Sequence, residues 1–157
     1  MAGKSQTRGF RQVRTIRAAQ EISFRKSDVF FLILYSGFIF FLSTRPAPAP
    51  SYVLFPHIDK LFHAIEYSVL GCLWLRVLSR VYPEGRGLKA PIFSLIICLI
   101  YSAADESLQR LVPSRLSSAG DALADGAGAA IAIGVIRWAR GRSVRRTERK
   151  VSRASGL

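Results

Sequence analysis

Four apolar segments lie along the chain, each long enough for a helix. They are VFFLILYSGFIFFLST (29–44), LFHAIEYSVLGCLWLRVLSRVY (61–82), LKAPIFSLIICLIYSAA (88–104) and DALADGAGAAIAIGVIRW (121–138). In lipid, a helix satisfies its own backbone hydrogen bonds, whereas an open strand does not. The first segment would span about 24 Å, so we expect its helix to extend back through Ser27 to cross a hydrocarbon core of about 30 Å. The pattern predicts an all-α polytopic membrane protein with four transmembrane helices.

Basic side chains are concentrated at the two ends of the chain. The protein has 157 residues, half of them apolar, and a formal net charge of +13. A soluble globular enzyme spreads its charges over its surface, and a disordered basic chain lacks the apolar half, so both classes are disfavoured. We expect a basic cytoplasmic N-terminal segment (1–26), a four-helix membrane domain (27–138) and a basic cytoplasmic C-terminal tail (139–157).

The distribution of Lys and Arg among the connections predicts the orientation of the helices. If the chain crosses the membrane four times, one side receives 19 of the 23 basic residues and the other side receives four. Basic connections stay preferentially in the cytoplasm. Both termini are therefore predicted to be cytoplasmic, with the connections 45–60 and 105–120 facing outward.

The basic ends suit the anionic headgroups of membrane lipids, which we predict as partners. Nucleic acid is not predicted as a partner, since no aromatic interleaving or recognition motif accompanies the charge. Cys72 and Cys98 lie within apolar segments and lack the spacing of a metal site or a disulfide framework. No cofactor is predicted.

Polar and ionisable residues gather near the outward ends of the predicted helices. Asp59, His63 and Tyr67 follow one another at four-residue intervals, so they share one face of the second helix. The residues expected at the same membrane depth are Lys60, Glu66, Asp105, Glu106, Gln109, Arg110, Arg115, Asp121 and Asp125. Ionisable groups inside a membrane are costly and usually pair or line a hydrated cavity. The sequence therefore predicts one outward-opening polar pocket, toward which that face of the second helix turns.

Structural roles compete with this interpretation. Asp121 suits the first turn of a helix, where the macrodipole favours an acid. Glu106 and Arg110 have the spacing of an ion pair on a helix surface. A polar network that holds the helices together is the alternative for His63, Glu66 and Asp125.

Arg115 is expected to contact at least one of Asp105, Asp121 and Asp125. The reason is that this end of the predicted bundle otherwise has an excess of carboxylates, and an unpaired carboxylate at the membrane edge is driven toward protonation.

Four short motifs, in order and separated by apolar segments, resemble the VanZ-like membrane proteins. They are Asp59-Lys60-x-x-His63-x-x-x-Tyr67, Asp105-Glu106-x-x-Gln109, Pro113-x-Arg115 and Asp121-x-x-x-Asp125-x-x-Gly128. The resemblance covers about residues 55–135 and is specific as a combination. It implies a bacterial inner-membrane protein that acts at the face of the cell envelope, in a family named for a protein that raises resistance to the glycopeptide teicoplanin.

One residue departs from the family pattern. Asp125 stands where the VanZ-like proteins typically have Asn. Its carboxylate adds a negative charge to an acidic region, so we expect it to take a proton or to pair with a cation such as Arg115.

Two functions compete for the predicted pocket. The first is a binding or accessory role, in which the pocket holds an envelope lipid or a glycopeptide. Its predicted binding residues are Asp59, Lys60, Tyr67, Glu106, Gln109, Arg115, Asp121 and Asp125. The second is an enzyme acting on an envelope lipid or lipid-linked precursor, in which His63 serves as acid or base and Asp59 orients it. Its candidate catalytic residues are His63, Glu66 and Asp105.

Two further alternatives are disfavoured. A metal centre formed by His63, Glu66, Asp105 and Asp121 has suitable ligand types but only one histidine, so no metal site is predicted. An ion pathway needs polar groups through the full membrane depth, whereas the inward halves of the second, third and fourth segments are almost purely apolar.

Overall fold

The described part of the protein consists of four helices. The computed structural model describes residues 26–46, 58–83, 87–113, 115 and 118–154. Its helices are α1 (Lys26–Ser43), α2 (Ile58–Val81), α3 (Lys89–Gln109) and α4 (Ala119–Ala154). All regular structure in these residues is helical, which confirms the all-α prediction.

Each helix is long and apolar enough to cross a membrane, α4 through its part from 119 to 143. α1 begins at Lys26, so it extends back through Ser27 as expected. α3 continues past the apolar segment to Gln109, and α4 continues from the membrane domain into the predicted basic tail. The predicted N-terminal segment 1–26 lies outside the described residues, apart from Lys26.

Local sequence explains where the helices begin and end. Pro91 lies in the first turn of α3, where its missing N–H leaves no intrahelical bond unmade. Arg110 and Leu111 close the end of α3 through backbone bonds to the preceding turn, and Pro113 follows. Pro46 follows the end of α1 in the same way, because proline cannot continue a helix.

α2 is the central helix and packs against the other three. Its closest neighbour is α4, because small residues let the two backbones approach. A Cβ built on Gly128 would overlap the backbone of Ala64, and one built on Gly71 would lie 3.2 Å from the Cα of Ala129. Ser68 adds a polar bond across this contact, since its hydroxyl donates to the Gly128 carbonyl at 3.0 Å. Close packing of small residues is typical of helix pairs in membranes.

The outside of the bundle is apolar, as expected for a surface that meets lipid. On α1, large side chains are about half exposed or more, and they include Phe30, Phe31, Ile33, Leu34, Phe38, Phe40 and Phe41. A contiguous apolar surface of this kind is rare on a soluble monomer. The buried core lies instead between the helices, where Ile39, Leu70 and Ala129 pack together with Cys98.

Candidate functional site

Buried polar side chains are concentrated at one end of the bundle, which we call the acidic end. It is formed by the end of α1, the start of α2, the end of α3 and the start of α4. Its buried polar residues, each at most 5 % exposed, are Ser43, Ser102, Asp105, Glu106, Gln109, Asp121 and Asp125. The predicted gathering of polar groups from separate segments is therefore present in the structure.

The centre of the acidic end is a hydrogen bond between His63 on α2 and Asp125 on α4. The His63 Nδ1 and the Asp125 Oδ1 are 3.0 Å apart, and Asp125 is fully buried. The Ser102 hydroxyl of α3 donates to the other carboxylate oxygen at 2.6 Å. The close approach of α2 and α4 at Gly128, one turn after Asp125, sets the register that makes this pairing.

The structure places the shared face of α2 only partly as expected. His63 meets α4, and Tyr67 is fully buried among the helices. Asp59 does not join them, because its side chain is 60 % exposed and its ion pair is with the adjacent Lys60. The expectation that Asp59 orients His63 is wrong, since Asp125 occupies that position across the helix interface.

A second polar contact joins the starts of α2 and α4. The Lys60 Nζ lies 2.7 Å from Asp121 Oδ1. The other Asp121 oxygen accepts bonds from the backbone N–H and the hydroxyl of Ser118, at 3.1 and 2.8 Å. An acid three residues after a serine that accepts the serine's N–H is part of a capping box. Asp121 therefore has the structural role that its place in the first turn indicated, together with a cation partner on another helix.

The other polar side chains of the acidic end lie on α3 and α2. Asp105 accepts a hydrogen bond from the Gln109 side chain at 3.0 Å, one turn along the same helix. Glu66 on α2 is half-buried nearby and interacts electrostatically with His63 and Asp105. The Tyr67 hydroxyl is buried without a hydrogen-bond partner among the described residues, and it interacts electrostatically with Asp105 and Asp125.

Arg115 does not make the predicted contact with a buried aspartate. Its guanidinium donates to two backbone carbonyls at the end of α1, through Nη2 to Leu42 at 2.8 Å and through Nε to Arg45 at 3.0 Å. The last carbonyls of a helix lack intrahelical partners and carry the negative end of the macrodipole. This helix end therefore takes the guanidinium, and the aspartates pair with groups on α2, α3 and the start of α4.

The fold and these motifs agree with the comparison with known families. The model of the VanZ/LLP1 family matches residues 6–140. The chain belongs to the VanZ/LLP1 family. Neither the search of curated proteins nor the search of solved structures gave a match. The resemblance found in the motifs is therefore confirmed, and with four helices able to span a bilayer this is a multi-pass membrane protein of the VanZ family.

In this VanZ-family chain, the structure shows how Asp125, which stands where the family typically has Asn, is accommodated. The expectation was that its carboxylate takes a proton or pairs with a cation such as Arg115. The group that pairs with it is the imidazole of His63, with the Ser102 hydroxyl as a second partner. Sequence spacing could not reveal either partner, because they come from two other helices.

One set of side chains at the acidic end has the composition of a metal site. Ligand atoms of His63, Glu106 and Asp125 lie within 4.8 Å of one another. Among the described residues, this group replaces the ligand set that sequence reasoning considered, in which Glu66, Asp105 and Asp121 accompanied the histidine.

The opposite end of the bundle has an ion cluster that the sequence analysis missed. Asp28 in the first turn of α1 is 4 % exposed, and its two oxygens lie 2.8 Å from Arg76 Nε and 2.8 Å from Arg80 Nη2 on α2. The two arginines are one turn apart, so they share a face of α2. The four-residue spacing of the arginines indicated a shared basic face, but their partner on α1 could be found only from the packing of the helices.

Proposed function

We propose that this VanZ-family protein lies in a bacterial inner membrane and binds the polar headgroup of an envelope lipid or lipid-linked precursor at its acidic end. Both termini are cytoplasmic in this proposal, and the acidic end faces outward. The 19-to-4 division of Lys and Arg supports this orientation.

The observation that carries the proposal is the burial of four carboxylates at one end of a bundle whose helices can span a membrane. Asp105, Glu106, Asp121 and Asp125 are each at most 5 % exposed. Buried ion pairs are often no more stable than apolar residues of similar volume. A bundle selected for stability alone has little reason to keep four such groups together, whereas a site for a polar ligand requires them.

The surroundings of the acidic end suit an amphiphilic ligand. Leu61, Phe62 and Ile65 flank His63 along α2 and are more than half exposed. A lipid whose headgroup reaches the polar residues can lay its acyl chains against these side chains. Since carboxylates dominate the polar side, the headgroup is expected to donate hydrogen bonds through amine or hydroxyl groups.

Acid–base catalysis on the same lipid is the second candidate function, and the His63–Asp125 bond favours it. A carboxylate that accepts the Nδ1–H of a histidine fixes the tautomer and leaves Nε2 as the base. Glu66 and Asp105 remain candidates for the partner acid.

The proposal is tested in a deletion strain that carries the wild-type gene or single variants. The variants are His63→Ala and Asp121→Asn, with Asp59→Asn as a control for loss of an exposed carboxylate. Envelope lipid composition and teicoplanin susceptibility are compared with the parent strain, and membrane abundance is measured for each variant. We expect both site variants to resemble the deletion at normal abundance, and Asp59→Asn to resemble the wild type.

Other outcomes separate the alternatives. If both site variants disappear from the membrane, these residues act as structural contacts between helices and the binding site is refuted. If teicoplanin susceptibility is unchanged while the lipid profile shifts, the lipid proposal stands and the glycopeptide link is rejected. His63→Gln separates binding from catalysis, because it keeps a hydrogen-bonding side chain but removes the base.

A further inference from the structure

We propose that His63, Glu106 and Asp125 form a binding site for a divalent transition-metal ion, best suited to Zn²⁺. The three residues come from α2, α3 and α4, so an ion there would join three of the four helices that form the acidic end. This site goes beyond lipid binding and does not depend on it.

The geometry requires little rearrangement. The three ligand atoms lie within 4.8 Å of one another, and the imidazole is already 3.0 Å from one Asp125 oxygen. In the tetrahedral arrangement that zinc prefers, bonds of about 2.0–2.2 Å to nitrogen or oxygen place two ligand atoms about 3.3–3.6 Å apart. A small closing movement of side chains would therefore bring the three groups around one ion.

The donor set selects the class of ion. An imidazole nitrogen with carboxylate oxygens suits zinc and similar first-row ions, whereas magnesium prefers sites made of oxygen and water. Three protein ligands leave a fourth position open for water or for an oxygen of a ligand. The Asp125 ligand already has an outer hydrogen-bond partner, because the Ser102 hydroxyl donates to its second carboxylate oxygen.

Two further observations point to a cation at this position. The Tyr67 hydroxyl is completely buried, has no hydrogen-bond partner among the described residues, and interacts electrostatically with Asp105 and Asp125. A buried hydroxyl of this kind, close enough to the Asp125 ligand to interact with its charge, would be satisfied by a hydrogen bond to a metal-bound water. The acidic end also buries four carboxylates, while the cation that pairs with Asp121, Lys60, keeps a third of its side chain exposed. A divalent ion would balance this excess of negative charge.

The test uses the full-length protein purified in detergent without a polyhistidine tag and treated with EDTA. Zinc is added, unbound metal is removed, and the bound metal is counted by mass spectrometry of the elements, with Zn²⁺ affinity measured by calorimetry. We expect one zinc per chain and no stoichiometric binding of Mg²⁺. His63→Gln, Glu106→Gln and Asp125→Asn are each expected to weaken zinc binding by at least about tenfold, the loss produced even by removing outer-shell partners.

His57→Gln is the matched control, because it makes the same change at the only other histidine of the chain. It should leave zinc binding unchanged. Helical content and gel-filtration behaviour are recorded for each variant. For any variant that fails to fold, X-ray absorption of zinc-bound wild type decides instead, and we expect one imidazole with oxygen ligands and no sulfur.

The contrary results are equally specific. Binding of less than one zinc per chain, equal binding by the three variants and the wild type, or a spectrum with sulfur ligands would overturn the site. A protein that binds zinc but no lipid headgroup would contradict the proposed function alone, and a protein that binds lipid but no zinc would contradict this inference alone.

Discussion

The contact between α2 and α4 at Gly128 offers a sharp test of the packing that forms the acidic end. The change Gly128→Ala adds a single methyl group. That group would overlap the carbonyl of Ala64 and lie 2.8 Å from its carbonyl carbon and Cα, where ordinary contact begins at 3.4 Å. The obstacle is backbone and not a flexible side chain, so the two helices must separate by more than half an ångström.

Such a separation has a cost in stability and in geometry. Overfilling a packed interface typically lowers the free energy of unfolding by about 1–3 kcal/mol. Alanine gains up to about 1 kcal/mol of helix propensity over glycine, so the net loss is smaller than the packing cost. The separation also lengthens the Ser68 bond to Gly128 and the His63–Asp125 bond, which are both 3.0 Å in the structure.

Gly134→Ala is the matched control, because a Cβ at Gly134 on the same helix meets nothing within 4 Å. The free energy of unfolding of both variants is measured by SDS titration in mixed micelles. Since the propensity gain is common to both, their difference isolates the packing cost, and Gly128→Ala should be the less stable by about 1–3 kcal/mol. Equal stability of the two variants would refute the close approach of α2 and α4.

Three further predictions concern other parts of the bundle. Asp28→Asn should lower the free energy of unfolding by about 1–2 kcal/mol, because the two ion pairs of Asp28 are lost while the partly exposed arginines regain water. The same SDS titration should show a change of less than about 0.5 kcal/mol for the control Asp59→Asn. Similar losses in the two variants would contradict the buried ion cluster. Arg115→Ala should speed amide hydrogen exchange at the end of α1, because the guanidinium no longer holds the carbonyls there. Arg115→Lys should restore part of the protection, and Arg146→Ala should have no effect. Unchanged exchange in Arg115→Ala would contradict the carbonyl contacts. A reporter fused after Leu157 should be active only in the cytoplasm, and activity outside the membrane would overturn the predicted topology.

The sequence was sufficient for the four helices because their signal is local. Each spanning segment is an apolar run, and lipid leaves a helix as the only open element that completes its hydrogen bonds. The end of α3 was less visible, since Asp105, Glu106 and Gln109 continue the helix beyond the apolar run. Their place after the third apolar segment still predicted that they lie at the acidic end of the bundle, and all three are buried in the structure.

The partners of the polar residues could not be predicted, because they depend on register between helices. His63 pairs with Asp125 rather than Asp59, and the reason is the approach of Gly128 to Ala64, a steric fact that spacing along one helix does not contain. Arg115 was assigned to an aspartate by a count of charges. That count omitted the backbone carbonyls at the end of α1, which accept the guanidinium instead.

Native mass spectrometry measures directly whether the acidic end binds a lipid headgroup through His63 and its neighbours. The protein is released from its own membrane with wild-type sequence, with His63→Ala, or with Asp59→Asn, and the lipids that remain bound are identified. We predict one predominant lipid on the wild type and on Asp59→Asn, retained at a ratio of one per chain and lost from a folded His63→Ala variant. The same lipid profile on all three proteins would contradict lipid binding at the acidic end.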